Sequence, residues 1–495
     1  MSFEKYVNHL QKVADVQYAA ALLNWDQEVM MPVKGTQGRS RQLATLSVIA
    51  HEWTIDPDFG KLLEGLVQDS SLSWEQKRNV ELTLRDFEKQ NKYSSDFVQK
   101  MSETQSKAFN AWIAARKKND FAVFAPVLEE LVALKREEAK FLGYKEHPYD
   151  ALMDEYEPGA TVAMVDELFE GVRVSLQQLL DRVNASPVIT NKTVGKKYDA
   201  QKQFDVTIEF LKKMGYDFDA GRQDISEHPF TINFNSRDVR VTTRANEDDI
   251  FEMLSSSIHE GGHALYEQGL LYENYGLPSG TYASLGIHES QSRLWENNVG
   301  RSKAFWEDNF QLLTHAFPQQ FKGFSARDFY VSNNLIQPSL IRVQADELTY
   351  HFHIMIRYEL EKQLIDGSLE VKELKAAWND LYRKYLGIDV PSDNQGVLQD
   401  IHWSHGSFGY FATYSLGSFY AAQFFHQAKQ EIEDLEGNIA KGNLHVLKDW
   451  LNDRIHKYGR LYKAEDLCEK VTGEKLDFKY FRNYIEEKLS DIYSW

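Results

Sequence analysis

Two histidines with a glutamate between them, His259-Glu260-Gly261-Gly262-His263, are the residues of this chain best suited to chemistry. At i and i+4 of a helix the imidazoles share one face and can grip a single divalent cation, while Glu260 sits one position round, placed to take a proton. A catalytic zinc takes three protein ligands and keeps one position open, so a third ligand must come from elsewhere. Glu267, Glu273, Glu289 and Glu296 are the downstream candidates. Glu267 shares the helix and faces the wrong way to close a tetrahedron. Glu296 lies two turns beyond Glu289 and reads as solvated or salt-bridged. Glu289 can return on an antiparallel helix, but spacing alone leaves the choice open. Two neutral imidazoles and one carboxylate would leave Zn2+, or Co2+ in its place, net positive, enough to bring a bound water to a pKa of about 7. Glu260 would then serve as general base and return the proton to a leaving amine.

The elements that must position these groups are legible nearby. Asn246-Glu247-Asp248-Asp249 supplies an N-cap and first-turn acids, and Ile250, Met253, Leu254, Ile258 and Leu265 follow at helical spacing, predicting a helix to about Gln268. Two adjacent glycines inside it cost up to about 2 kcal/mol relative to alanine. Something must therefore approach the backbone closely, either a ligand or a packed neighbouring helix. A second helix is expected over 281–297, behind the turn Pro278-Ser279-Gly280. Ahead of the pentad, 229–244 alternates β-formers and polar residues around Asn-Ser-Arg-Asp and predicts a hairpin, whose edge can hold an extended peptide by main-chain hydrogen bonds. His228, just before it, either lines the site or belongs to an ordinary His-Pro turn.

Elsewhere the spacing predicts helices over 1–24, 74–92, 122–142, 161–184, 346–366 and 415–433, and at least a dozen in all. Only 11 prolines and 28 glycines interrupt 495 residues, so long helices should dominate, with the hairpin as the exception. No repeat, low-complexity tract or Gly/Ser linker divides the chain, which reads as one elongated, mostly helical domain over 1–495 with two lobes. The formal charge of −18 argues against nucleic acid. A single cysteine permits no internal disulfide, and no apolar run is long enough to span a membrane. A cytoplasmic protein is expected.

Five blocks extend the pattern: the zinc pentad, His288-Glu289-Ser290-Gln291, Asp238-Val239-Arg240-Val241-Thr242, Ile341-Arg342-Val343-Gln344-Ala345-Asp346 and Gly396-Val397-Leu398-Gln399-Asp400-Ile401-His402-Trp403. Together they resemble the thermostable carboxypeptidase Taq family of metallocarboxypeptidases. The resemblance implies an all-α, saddle-like fold of two lobes around a deep groove, with a small β hairpin beside a zincin-type catalytic core, and a homodimer. It makes Glu289 the third metal ligand. It also implies stepwise release of single residues, with broad preference, from peptides with a free C-terminus.

Such an enzyme needs a cation for the terminal carboxylate, and Arg342 or Arg240 is the candidate. From spacing alone Arg342 and Asp346 make an i,i+4 ion pair on a helix, and Arg240 is a solvated strand residue. By the same resemblance His402, Tyr410 and Tyr414, in a segment of irregular Gly-x-x-Gly spacing, are candidate donors to an oxyanion. Asp346 and Asp400 are candidate acceptors behind the metal-binding histidines. The rival expectations are an endopeptidase or dipeptide-releasing enzyme with the same zinc chemistry, and a non-catalytic helical scaffold; retention of Glu260 argues against the second.

Overall fold

Apolar periodicity becomes helix along most of the chain in the computed structural model, which describes residues 2–495, the side chain of Ser95 excepted. The expected stretches appear as Phe3–Val29, Trp74–Gln90, Ala125–Leu142, Val162–Ala185, Tyr350–Asp366 and Ala412–Glu431. The start of Tyr350–Asp366 falls four residues later than the spacing predicts, because Asp346 takes the backbone amides of Leu348 and Thr349 in a turn. Arg342 correspondingly lies in a 3-10 turn, Arg342–Gln344, so the anticipated i,i+4 pair with Asp346 does not form. Among the described residues no helix is long and apolar enough to cross a membrane.

The β structure is a three-stranded sheet of β1 (Gly221–Ile225), β2 (Thr231–Asn235) and β3 (Asp238–Thr243), in the order β1-β3-β2. β2 and β3 are the expected hairpin, antiparallel with Ile232 opposite Arg240. β1 pairs in parallel with β3, Gly221 opposite Val239, and carries no strand signature of its own. Its Gly-Arg-Gln-Asp-Ile holds one β-branched residue. Gly221 is required there, since a Cβ would sit 2.0 Å from the Val239 carbonyl oxygen. Val239 and Val241 of β3 are fully buried.

The chain divides into two compact units, each built from separated segments. One gathers the residues up to Gln90, Thr190–Asn333 and Tyr420–Leu476, and holds the sheet and the pentad. The other gathers Asn91–Ile189, Asn334–Phe419 and Asp477–Trp495, and holds the Arg342 and His402 blocks.

In the first unit the pentad helix, Ile250–Gly269, starts at Asp249, whose side chain caps Phe251 N–H. Ile250, Met253, Leu254 and Leu265 bury its apolar side. Its two glycines admit neighbours on two sides. A Cβ on Gly261 would meet Leu211 of helix Ala200–Met214 at 2.4 Å, and one on Gly262 would meet the backbone of Gln291 and Ser292 at 2.7 Å. The close approach inferred from the glycines is thus a packed helix, Leu285–Arg293, and that helix carries Glu289.

Candidate metal centre

Helix Leu285–Arg293 is capped by Ser284, whose hydroxyl accepts from Ile287 N–H, and runs on without a break into a π-helical stretch, Leu294–Gly300. The π-helix is rare, and π-helical turns are frequent at functional sites. Here Glu289 faces Nε2 of both histidines, while Glu296, on the π-helical stretch, meets Nδ1 of His259 alone. Glu289 Oε2 lies 3.8 Å from His259 Nε2 and 3.5 Å from His263 Nε2. One ligand atom from each of the three residues falls within 4.8 Å of the others, a spacing one divalent ion can bridge.

The donor chemistry fits a metal. Burial, with His288 close by, pushes His263 down to about 3, so its ring is neutral with a lone pair to offer. Burial alone would raise Glu289, yet Arg293 and the two histidines hold it well below the usual carboxylate range. Arg293 Nε donates to its Oε1 at 2.7 Å, leaving Oε2 toward the imidazoles. Nδ1 of His259 meets Glu296 Oε2 at 2.9 Å, which turns Nε2 toward Glu289. Glu296 is itself buried between Arg293 and Arg301.

Glu260 is buried beside this group. The Thr231 hydroxyl of β2 reaches its Oε2 at 2.7 Å and its carbonyl oxygen at 2.8 Å. Burial raises the carboxyl above its ordinary range, against the pull of His259 and the Thr231 hydrogen bond. Glu267 is turned away, bonded to His288 Nε2 at 2.8 Å and to the Asn233 amide. Glu273 is exposed in a 3-10 turn.

The second unit holds another polar cluster. Arg342 Nε and Nη2 both donate to Asp400 Oδ1, at 3.0 and 2.9 Å, and Arg357 Nε donates to Oδ2 at 2.6 Å. His402 Nε2 lies 3.3 Å from the Tyr414 hydroxyl, and Tyr410 packs against both rings, at 5.3 and 5.1 Å between centroids. The Arg342 guanidinium lies 5.0 Å from the Tyr414 ring centroid. Burial and the adjacent Arg342 push His402 down to about 3.

A sequence profile described as "Carboxypeptidase Taq (M32) metallopeptidase" matches residues 5–489. The chain belongs to this family. "Thermostable carboxypeptidase 1" of Thermus thermophilus is 39% identical over 99% of both chains, and "Carboxypeptidase 1" of Bacillus subtilis 37% identical over 99% of both. The crystal structure of an M32 carboxypeptidase from Deinococcus radiodurans R1 superposes with a TM-score of 0.97 at 36% identity, covering 99% of each chain. This carboxypeptidase Taq family member is therefore a metallocarboxypeptidase, a peptide hydrolase.

Within this family member the remaining candidates scatter. Arg240 is held bidentately by Asp238, at 2.9 Å twice, with its guanidinium 4.4 Å from the Trp25 ring and 4.9 Å from Phe234. His228 is exposed in the connection before β2, its carbonyl accepting from Ser226 Oγ. Neither aspartate proposed behind the histidines is there: Asp346 is occupied by backbone amides and Asp400 by two arginines. Glu296 takes that place instead: of the two expectations for it, solvated or salt-bridged, the second holds, with the carboxylate buried between Arg293 and Arg301. Its spacing of seven from Glu289 puts both on one helical face, which was the available signal. Thr231, opening an edge strand three residues after His228, had no signal beyond its place in the hairpin.

Proposed function

We propose that the enzyme is zinc-dependent and releases single C-terminal residues from peptides with broad side-chain preference. The observation that carries this reading is the convergence of Glu289 on both pentad imidazoles, with Glu260 buried one residue round. A zinc ion held by His259, His263 and Glu289, with Co2+ as a possible substitute, would supply a Lewis acid and a more acidic water.

The chain's own residues do the rest. Glu260 accepts the proton of the attacking water and passes it to the leaving amine, and its raised affinity for a proton suits both steps. Thr231 fixes the carboxylate while β2, an edge strand, offers its outer main-chain groups to an extended peptide. Arg342 is the better of the two candidate anchors for the terminal carboxylate. Arg240 is neutralised one-to-one by Asp238, whereas Arg342 and Arg357 share Asp400 and leave one positive charge over. His402, Tyr410 and Tyr414 supply donors to the oxyanion. A homodimeric, cytoplasmic enzyme completes the reading, on the family resemblance.

Mass spectrometry of the products from one peptide, given as the free acid and as its C-terminal amide to zinc-loaded enzyme, tests the reading. Stepwise single-residue loss from the acid alone is expected. Equal cleavage of both would overturn the carboxylate anchor.

A further inference from the structure

The segment that carries His402 and Tyr410 is irregular: a 3-10 turn, His402–His405, followed by Gly406 and Gly409 at φ of +72° and +95°. Such a loop holds two side chains in register only if something outside it ties both ends. Glu361, fully buried on helix Tyr350–Asp366, lies against it. Its Oε1 accepts from Trp403 Nε1 at 2.7 Å, one residue after His402. Its Oε2 accepts from Gly409 N–H at 3.0 Å, one residue before Tyr410, and from the Tyr149 hydroxyl at 2.6 Å. Gly409 has no room to shift, since a Cβ there would meet the Leu152 backbone at 2.6 Å.

Among the described residues the side-chain and backbone donors bonded to Glu361 are all neutral, and Lys135 acts on it only as a nearby charge, so burying a carboxyl here is a costly choice where an apolar side chain would fill the space. Two oxygens are what the loop requires. A glutamine offers one acceptor and turns an N–H₂ toward one of the three donors. The geometry points to Glu361 as the positioning residue that sets the spacing of His402 and Tyr410. The inference rests on the reading of those two as oxyanion donors.

The test is a double-mutant comparison on zinc-loaded enzyme. Glu361→Gln should lower kcat about 10- to 100-fold, the range found when outer partners of active groups are removed, with KM changed less than about two-fold. In a His402→Ala, Tyr410→Phe background, already slow, the same substitution should change kcat little, because there is nothing left to position. Trp403→Phe, which deletes one donor and keeps the ring, should reproduce the kcat loss in part should Glu361→Gln fail to fold. An unchanged kcat in both single variants, or an equal loss in the two backgrounds, would overturn the positioning role. A His402→Ala, Tyr410→Phe enzyme with normal kcat would instead overturn the oxyanion reading on which it rests.

Discussion

Glu296 Oε2 lies 2.9 Å from Nδ1 of His259, on the side of the ring opposite Glu289. Carboxylates so placed fix the tautomer and orientation of a metal-binding histidine and raise its basicity. Arg293 bonds both Glu289 and Glu296, so one guanidinium sets the two carboxylates that flank the imidazole. Glu296→Ala should therefore weaken zinc affinity about 10- to 100-fold, read as the chelator concentration at which activity is lost. An unchanged chelator midpoint would remove Glu296 from the site.

Gly262 predicts a coupling between packing and metal binding. A methyl group there must displace the backbone of Gln291 and Ser292, and with it the helix that carries Glu289. Gly262→Ala should cost about 1–3 kcal/mol of stability, the range for overpacking, measured by urea unfolding of the metal-free protein, and should loosen zinc as well. A variant of normal stability and affinity would mean the two helices separate freely.

The metal-centre elements were largely legible from residue types and spacing: the capped helix, the paired histidines, the close approach at Gly262 and the hairpin ahead of them. Those are local signals, in which a few consecutive residues state their own periodicity. What stayed hidden depends on partners far along the chain. β1 is a strand only because β3 pairs with it. Arg342 sits in a 3-10 turn because Asp346 is taken by backbone amides and Asp400, 58 positions on, takes the guanidinium. No spacing rule joins such residues, and the five blocks could be assembled only through resemblance.

The two candidate anchors make opposite predictions. Arg342→Ala should lower kcat/KM for free-acid peptides by an amount equivalent to about 2–5 kcal/mol, the range for truncating one partner of a buried charge pair. Arg240→Ala, which removes a strand residue already paired with Asp238, should cost far less. Steady-state kinetics on one peptide separates them, and the reverse ranking would move the anchor to β3.

Acid stability follows from His456. Burial, with Lys448 adding to it, pushes this ring down to about 3, and its nitrogens face Asn452 Oδ1 and Gln291 Oε1 at 2.7 and 2.9 Å. The unfolded chain binds the proton near its ordinary value, about 6.5. Between there and about 3 the unfolded state holds more protons, so stability present above 6.5 is lost as pH falls, by up to about 1.4 kcal/mol per unit for this group. His456→Gln in the metal-free protein should flatten the fall between pH 6 and 4, seen in urea melts. An equally steep fall would show that His456 takes no part.

The most direct measurement is made on Glu260→Gln, with zinc content and peptide hydrolysis determined on the same preparation. Glutamine keeps the shape and can still accept from Thr231, but it cannot take a proton from water. One zinc per chain with turnover reduced about 10²- to 10⁴-fold, the range for losing a general base, is the predicted result. Zinc retained with near-normal turnover would contradict the assigned base, and zinc lost would place Glu260 among the ligands rather than beside them.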